Sequence, residues 1–348
     1  MRAAVMRDGR LEVDDVPDPV PGPGQLLVRT LACGICGSDL HTLHHADHMV
    51  EMASVAAGGD GFPGQPMRLD ADVIMGHEFC GEVVDRGEHA DQHAVGDLVV
   101  SVPITMDASG LHAIGYSNAY PGGYAELMVL SDVPLLTFTV PNGLDPELAA
   151  LTEPMAVGHH AVERSWTTAA DSAVVLGCGP VGLAIIAALR LKGVETIVAA
   201  DFSPARRALA TLQGATEVVD PRTEPAVEAW RRVDGRRRLI VFEAIGVPGI
   251  LDQAMADAPR GSQILVAGVC MEPDRVRPML GVVKELNIQF VFGYDPMEFA
   301  ETLRRIAEGE LDVAPLITGR VPIDGVPDAF EALADPEAHA KILVTPGR

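Results

Sequence analysis

Three side chains of the kinds that bind transition metals occur in two short motifs of the N-terminal half. Cys36 closes a Cys-x-x-Cys pair that begins at Cys33, and His77 and Glu78 are adjacent, ahead of an alternating strand pattern. A thiolate, an imidazole and a carboxylate are a common ligand set for catalytic zinc. A further acid, Glu153, precedes a glycine-rich segment. These residues are therefore candidates for a metal centre that polarises a substrate oxygen.

The Cys33–Cys36 pair allows three interpretations. It could be half of a four-cysteine zinc site, although no second pair occurs in the chain. It could be a redox pair, although it does not begin a helix in a thioredoxin-like βαβ unit. In the third interpretation Cys36 binds a metal and Cys33 packs, and the His77–Glu78 motif favours this one. Alone, His77 would more often be an ordinary core or surface histidine, and Glu153 an acid at a helix N-terminus.

A second group of residues has the spacing of a dinucleotide-binding turn. An apolar run leads into Gly177-x-Gly179-x-x-Gly182, an apolar helical pattern follows, and a second apolar run ends at Asp201. In such a unit the glycines allow a tight turn, close approach of a pyrophosphate, and close packing of helix on sheet. The helix N-terminus attracts the phosphates, and the acid accepts hydrogen bonds from ribose hydroxyls. We predict cofactor contacts from Gly177, Gly179, Pro180, Val181, Gly182, Asp201 and Arg206.

The acid at the end of the second run bears on which cofactor binds. Asp201 favours NAD over NADP, because a carboxylate repels a 2′-phosphate. Arg206 and Arg207 weaken this preference, since they follow on the next helix and could face solvent or reach a phosphate. The alternative for the whole segment is a βαβ turn without a ligand.

Three motifs resemble those of the zinc-dependent medium-chain dehydrogenase/reductase family, which includes the alcohol, sorbitol and threonine dehydrogenases. They are Gly34–His41, Gly76–Glu78 and Thr152–Pro154, in this order and ahead of the nucleotide motif. The resemblance covers nearly the whole chain. It implies an α/β fold with two domains. A Rossmann domain with a doubly wound parallel sheet would span residues 154–294, and a discontinuous, β-rich, GroES-like catalytic domain would span residues 1–153 and 295–348.

The same resemblance implies a ligand set for zinc. Cys36 and His77 would bind the metal directly. Glu78 would be a ligand or an acid that exchanges with water, and Glu153 would bind directly or through water. Many family members hold a second, structural zinc with four close cysteines. The corresponding stretch here, residues 97–124, contains no cysteine, so we expect one zinc per chain.

The resemblance also implies a proton relay. Ser38 would contact the substrate oxygen and pass its proton on to His41, near the nicotinamide ribose. Asp39 would hold the nearby backbone, and Cys33 and Cys80 would pack. The metal would stabilise the oxygen of an alcohol while the carbon passes a hydride to NAD.

Two stretches near these motifs carry further expectations. Residues 42–72 form an insert, longer than is usual in the family, that is rich in Gly, Ala, Met and His. We predict a flexible solvated loop, and we hypothesise that it is a lid over the substrate pocket. His44, His45 and His48 lie in it and could bind a metal, although a solvated loop is favoured. Further on, Tyr116 and Tyr120 either face the pocket or pack.

The substrate is only broadly indicated. Polyol dehydrogenases of the family usually have an arginine in the region that corresponds to residues 292–298, and none occurs here. We therefore expect a secondary alcohol and its ketone. Two alternatives are a zinc-free quinone or enone reductase that uses NADPH, and a non-catalytic nucleotide-binding protein. Cys36, His77 and Asp201 argue against the first of these.

Composition excludes several classes of partner. The formal net charge of −23 over 348 residues argues against nucleic acid and anionic membrane surfaces. No apolar run approaches the length of a membrane span, and the N-terminus does not have the pattern of a signal peptide. Five scattered cysteines do not form a disulfide framework, which fits the reducing cytoplasm. By the resemblance we expect a homodimer or homotetramer.

Overall fold

The computed structural model describes residues 1–57, 67–335 and 337–347. Its strands β1–β17 span, in chain order, Arg2–Arg7, Arg10–Asp15, Gln25–Gly34, Glu78–Arg86, Leu98–Ser101, Ile104–Asp107, Gly110–Ala113, Leu127–Ser131, Thr137–Thr139, Ser172–Leu176, Thr196–Ala200, Glu217–Val219, Leu239–Glu243, Gln263–Val266, Asn287–Phe290, Ile317–Val321 and Lys341–Val344. Its helices α1–α10 span Gly37–Ala57, Pro146–Ala149, Thr152–Glu163, Pro180–Leu191, Pro204–Gln213, Ala226–Val233, Ile250–Asp257, Pro278–Lys284, Pro296–Ala307 and Val326–Ala332. Short 3₁₀ helices span Ala314–Leu316 and Ile323–Gly325.

Six parallel strands form one sheet in the second half of the chain. Their order is β12-β11-β10-β13-β14-β15, so the chain starts in the middle of the sheet and winds outwards in both directions. The central strands β10 and β13 are short apolar runs. Separate apolar clusters cover the two faces of this sheet, as expected for parallel strands between helices. The predicted doubly wound parallel sheet is confirmed.

The β-rich part combines strands from both ends of the chain. Its sheet has the order β16-β17-β3-β4-β5-β9, and β8 also pairs with β3. Strand β17, near the C-terminus, runs antiparallel to β3 and aligns Leu343 with Gly34. The β-rich part is thus built from both ends of the chain.

Helices α3 and α4 are packed unusually closely. Gly158 of α3 lies against Ala184 of α4, and a Cβ atom at position 158 would come within 2.4 Å of both the carbonyl carbon and the Cβ of Ala184. Only glycine permits this approach. The contact connects the helix that carries Glu153 to the helix that follows the glycine-rich turn.

The structure overturns the predicted loop over the first part of residues 42–72. Helix α1 continues through Ala57, with one non-helical residue at His45. Leu43, Ala46 and Val50 pack against the core of the β-rich part, which gives this segment an apolar face that favours a helix. The prediction was therefore wrong for residues 42–57. Residues 58–66 lie outside the described residues, and the lid stays a hypothesis.

The histidines of the insert are on this helix. The rings of His45 and His48 are stacked, with their centroids 5.9 Å apart. In the described ranges, the group of side chains close enough to hold a metal lies elsewhere and does not include them. Across the same ranges, no helix has the length and apolar character needed to cross a membrane.

Candidate active site

The sheet of the β-rich part brings the two predicted metal motifs together. Strands β3 and β4 pair antiparallel with Gly34 opposite Glu78, so Cys36 and His77 lie at the same end of the pair. One ligand atom each from Cys36, His77 and Glu78 all lie within 4.8 Å of one another. Two of these residues are buried and Cys36 is partly exposed. A sulfur, a nitrogen and an oxygen donor at this spacing fit a zinc ion.

The buried carboxylate of Asp39 organises this group from behind. It lies 3.3 Å from His77 Nδ1 and accepts hydrogen bonds from the Cys36 amide at 3.0 Å and the Tyr124 hydroxyl at 2.6 Å. Burial would raise the pKa of Asp39, but His77, Tyr124 and the Cys36 amide together hold it below its usual range. A carboxylate beside Nδ1 leaves Nε2 of His77 for a metal, which is the usual arrangement behind a zinc-bound histidine.

Lys341, which the sequence did not single out, neutralises Glu78. Its Nζ donates to both carboxylate oxygens of Glu78, at 2.7 and 2.6 Å, and to the Ile35 carbonyl at 3.0 Å. Both side chains are buried. Burial disfavours the charged ammonium, yet the carboxylate of Glu78 and the thiol of Cys36 raise the pKa of Lys341. A Cβ at Gly34 would lie 2.0 Å from Glu78 Oε2, so this glycine makes room for the pair.

Glu153 lies beside the group but outside its 4.8 Å limit. Glu153 lies in the first turn of helix α3, and its side chain is buried. Burial, with Glu78 nearby, raises the pKa of Glu153 to about 7. The hydroxyl of Tyr294, also buried, faces this carboxyl and makes no hydrogen bond of good geometry with any described residue.

Tyr116 contacts the hydroxyl of the predicted relay residue Ser38. Its hydroxyl oxygen lies 2.9 Å from Ser38 Oγ and 2.9 Å from Asp39 Oδ1. Its ring packs against His77, with centroids 5.3 Å apart. Of the two candidate tyrosines, Tyr116 therefore faces the site, while Tyr120 turns away to bond Asp107 at 2.8 Å.

His41 stands one turn further along α1 from Ser38. It is partly buried, and burial, with His45 and His44 nearby, lowers the pKa of His41. No hydrogen bond of the described residues joins it to Ser38. The remaining cysteines of the motif region, Cys33 and Cys80, are fully buried in apolar clusters, as expected for packing residues. Burial raises the pKa of Cys80 to about 12.

The glycine-rich turn has the geometry that each glycine predicts. Gly177 has φ of +90°, which favours glycine. A Cβ at Gly182 would lie 1.9 Å from the Gly177 carbonyl oxygen, whereas a Cβ at Gly179 would meet no atom within 4 Å. Gly179 caps α4 without any side-chain hydrogen bond, and Pro180 is the first helical residue. The turn thus leaves open backbone at a helix N-terminus, which fits a pyrophosphate.

Asp201 directly follows strand β11, and Arg206 lies in the first turn of helix α5. The carboxylate of Asp201 accepts the backbone N–H groups of Cys178 and Ser203, each at 2.8 Å. It therefore also holds the turn in shape, a role that the sequence did not indicate. The Arg206 Nε is buried and makes no hydrogen bond with any described residue.

Comparison with known families and proteins places this chain in a known class. A family model described as zinc-binding dehydrogenase matches residues 180–308, and one described as alcohol dehydrogenase GroES-like domain matches residues 22–140. The chain belongs to the zinc-dependent medium-chain dehydrogenase/reductase family. It is an oxidoreductase of the alcohol dehydrogenase type, which transfers a hydride between an alcohol or ketone and a nicotinamide cofactor.

Individual relatives agree with this assignment. The chain is 32% identical to (R,R)-butanediol dehydrogenase of Bacillus subtilis over 97% of its length and 96% of the relative. The crystal structure of that enzyme matches with a TM-score of 0.83 over 99% of both chains. Sorbitol dehydrogenase of Bacillus subtilis is 29% identical over 100% of this chain and 98% of its own. A putative zinc-binding dehydrogenase from Sinorhizobium meliloti, bound to NADP, matches with a TM-score of 0.83, 30% identity and 99% coverage of both chains.

Proposed function

We propose that this enzyme oxidises secondary alcohols to ketones with NAD, and that vicinal diols such as butane-2,3-diol are among its substrates. The observation that carries the proposal is the Cys36–His77–Glu78 group, whose ligand atoms lie within 4.8 Å of one another. The substrate class is supported by the butanediol dehydrogenase at 32% identity.

We assign Cys36, His77, Glu78 and Glu153 to the zinc site. When bound, zinc supplies a positive charge that polarises the reacting oxygen. Lys341 holds both oxygens of Glu78, which favours Glu153 as the carboxylate that completes the shell. We propose one zinc per chain, because residues 97–124 contain no cysteine that could hold a second, structural zinc.

Ser38 and His41 are the proposed catalytic residues for proton movement. Ser38 Oγ is partly exposed at the start of α1 and is the hydroxyl that would receive the alcohol proton. His41 lies on the same helix and would carry the proton outwards. The buried surroundings of Asp39 and Tyr124 help to exclude water from the reacting atoms.

The test is zinc content per chain, together with turnover of butane-2,3-diol and a panel of secondary alcohols, before and after chelation. We expect one zinc, activity lost on chelation, and activity restored by added zinc. Turnover that ignores the chelator would contradict the proposal and favour the zinc-free reductases of the superfamily.

NAD is the proposed cofactor, bound by Gly177, Gly179, Pro180, Val181, Gly182, Asp201 and Arg206. The carboxylate of Asp201 disfavours the 2′-phosphate of NADP. NADP is the second candidate, because Arg206 Nε is buried without a described partner and a relative at 30% identity binds NADP. Both could be compared by kcat/KM. We expect NAD to be preferred at least about tenfold, and Arg206→Gln to reduce activity with NADP more than with NAD.

We propose that the enzyme is a homo-oligomer that pairs through strand β15. Among the described strands β15 pairs only with β14, which leaves one edge open. Phe290 on this strand is 70% exposed, and Met279 and Val282 on α8 are 67% and 70% exposed. The charged residue of α8 is Lys284. Two such edges could pair their open backbone groups and bury these apolar side chains against each other.

Light scattering on a size-exclusion column tests this interface. The wild type is expected at twice or four times the chain mass, and Phe290→Asp with Val282→Asp is expected to elute as a monomer. Met106→Asp is the matched control, since Met106 is exposed but far from β15 in the sequence. A wild type that elutes as a monomer would overturn the proposal.

Two further assignments complete the proposed function. The catalytic domain would comprise residues 1–153 and 295–348 and the cofactor domain residues 154–294, which is supported by β15 ending at Phe290 and α9 beginning at Pro296. The five cysteines are free thiols, which suits a reducing compartment, and we propose the cytoplasm.

A further inference from the structure

We propose that Tyr116 is a positioning residue that orients the Ser38 hydroxyl, so that Ser38 presents its lone pairs to the reacting alcohol. This inference rests on the proposed function, because it concerns the same site. It follows from the chain of oxygens Ser38 Oγ, Tyr116 Oη and Asp39 Oδ1, with 2.9 Å between each neighbouring pair.

The direction of these hydrogen bonds follows from counting protons. A tyrosine hydroxyl has one proton, and an ionised carboxylate can only accept. Four groups surround the Asp39 carboxylate, namely the Cys36 amide, His77 Nδ1 and the hydroxyls of Tyr116 and Tyr124. Because the Asp39 carboxylate has no proton to give, the hydrogen bond between Asp39 and Tyr116 uses the single proton of Tyr116. Tyr116 therefore donates to Asp39, and its oxygen is left to accept the proton of Ser38.

The position of Tyr116 is itself fixed by the metal motif. Its neighbour Gly115 has φ of +84°, and a Cβ at Gly115 would lie 3.1 to 3.2 Å from backbone atoms of Gly76. Segment 115–116 thus packs directly on the backbone that precedes His77.

While the alcohol binds, and before any proton moves towards His41, a Ser38 hydroxyl that donates to Tyr116 has only lone pairs left for the substrate. An alcohol brings a proton and finds an acceptor, whereas a ketone brings only lone pairs and gains nothing from Ser38. Tyr116 therefore favours the alcohol over the ketone at this position. Removing the Tyr116 hydroxyl frees the Ser38 proton to turn towards the substrate. There it faces the proton of an alcohol O–H, and the two protons repel each other.

The test uses the zinc-loaded protein with NAD and two ligands that cannot react. Tert-butanol has no hydrogen on its carbinol carbon to transfer, and acetone cannot take a hydride from oxidised NAD. Ligand-observed NMR titrations give the affinity of each without turnover. For Tyr116→Phe we expect tert-butanol affinity to fall about 5- to 15-fold, the usual effect of one hydrogen bond, and acetone affinity to stay within about twofold.

Two further variants distinguish positioning from a structural effect. Tyr120→Phe is the matched control, because the Tyr120 hydroxyl bonds Asp107 and Gln25 rather than Ser38. It is expected to change neither affinity. In a Ser38→Ala background, Tyr116→Phe should have no further effect, since the proposed influence of Tyr116 passes through Ser38.

Each outcome decides the inference. Selective loss of tert-butanol affinity that disappears in the Ser38→Ala background supports it. Equal loss of both ligands, loss of neither, or an additive effect with Ser38→Ala overturns it while the proposed function stands. A wild type that binds neither ligand and oxidises no alcohol overturns the proposed function and this inference together.

Discussion

The glycine-rich turn and the metal group are both polar sites, but backbone groups form the first and side chains form the second. The turn uses the backbone of one short segment, from Gly177 to Gly182. Its glycines leave space that a side chain would fill. The metal group uses side chains, and its Glu78–Lys341 pair joins positions 263 residues apart. The first site therefore depends on space around the backbone, and the second on the balance of buried charge.

The largest expected effect is a loss of catalysis at the metal group that leaves cofactor binding at the turn unchanged. Cys36→Ser should lose zinc and reduce kcat/KM by at least about 10³-fold, which corresponds to about 4 kcal/mol of transition-state stabilisation. NADH affinity, measured by fluorescence, should stay within about twofold because the turn does not use Cys36. Cys33→Ser is a suitable comparison for zinc content, since Cys33 is a fully buried cysteine that is not part of the group. A Cys36→Ser enzyme that retains zinc and activity would contradict the assignment.

The second prediction concerns the charge balance behind the metal group. Lys341→Met leaves the Glu78 carboxylate buried without its partner, and the free energy of unfolding should fall by about 3 to 5 kcal/mol. Adding Glu78→Gln removes the unpaired charge and should restore most of this loss. Urea unfolding of the metal-free proteins measures both. If the double variant is no more stable than Lys341→Met, the pair is not what holds this region together.

The third prediction is a dependence of stability on pH. Burial raises the pKa of Glu153 from the ordinary 4.5 to about 7, so the folded metal-free protein holds a proton that the unfolded chain has lost between these values. Stability should therefore fall as the pH rises from about 4.5 to 7, by at most about 3 kcal/mol from this residue. Glu153→Gln should flatten that part of the profile. A slope unchanged in the variant would assign the effect to another group.

The smallest expected effect comes from adding a single methyl group to the turn, which changes only the space around its backbone. Gly182→Ala should lower the free energy of unfolding by about 1 to 3 kcal/mol, because its methyl group would lie 1.9 Å from the Gly177 carbonyl oxygen. Gly179→Ala should leave stability within about 0.5 kcal/mol, yet weaken NADH binding about tenfold by occupying the open approach to the turn. Equal effects of the two substitutions on stability would show that the turn does not discriminate between these positions.

The two sites also differ in how far the sequence predicts them. The turn is local, and its strand, glycines, helix and Asp201 are all visible in one segment, so its geometry follows the prediction. The motifs at Cys36 and His77 are also visible. Lys341 was missed because its partner is distant, although a lysine at the start of the apolar run Lys341–Val344 is a signal of a paired buried charge.

Two local features show where the sequence alone does not identify the correct structure. The richness of residues 42–72 in Gly, Ala, Met and His predicts a loop, but Leu43, Ala46 and Val50 pack against the core and hold residues 42–57 in a helix. The role of Tyr116 could not be chosen over Tyr120 from the sequence, because both lie in the same polar segment. Only the fold shows which hydroxyl meets Ser38.

The Gly158–Ala184 contact has a consequence for the distance over which a hydride must move. Helix α3 begins beside Glu153 at the metal group, and α4 begins at the turn proposed to hold the cofactor. Where the two helices cross, the backbone of Gly158 meets the backbone and the methyl group of Ala184 directly. If the turn holds the cofactor as proposed, this contact would help to set how far the cofactor lies from the metal group. We expect a methyl group at position 158 to push the two helices apart, and so to slow hydride transfer without touching either reactant.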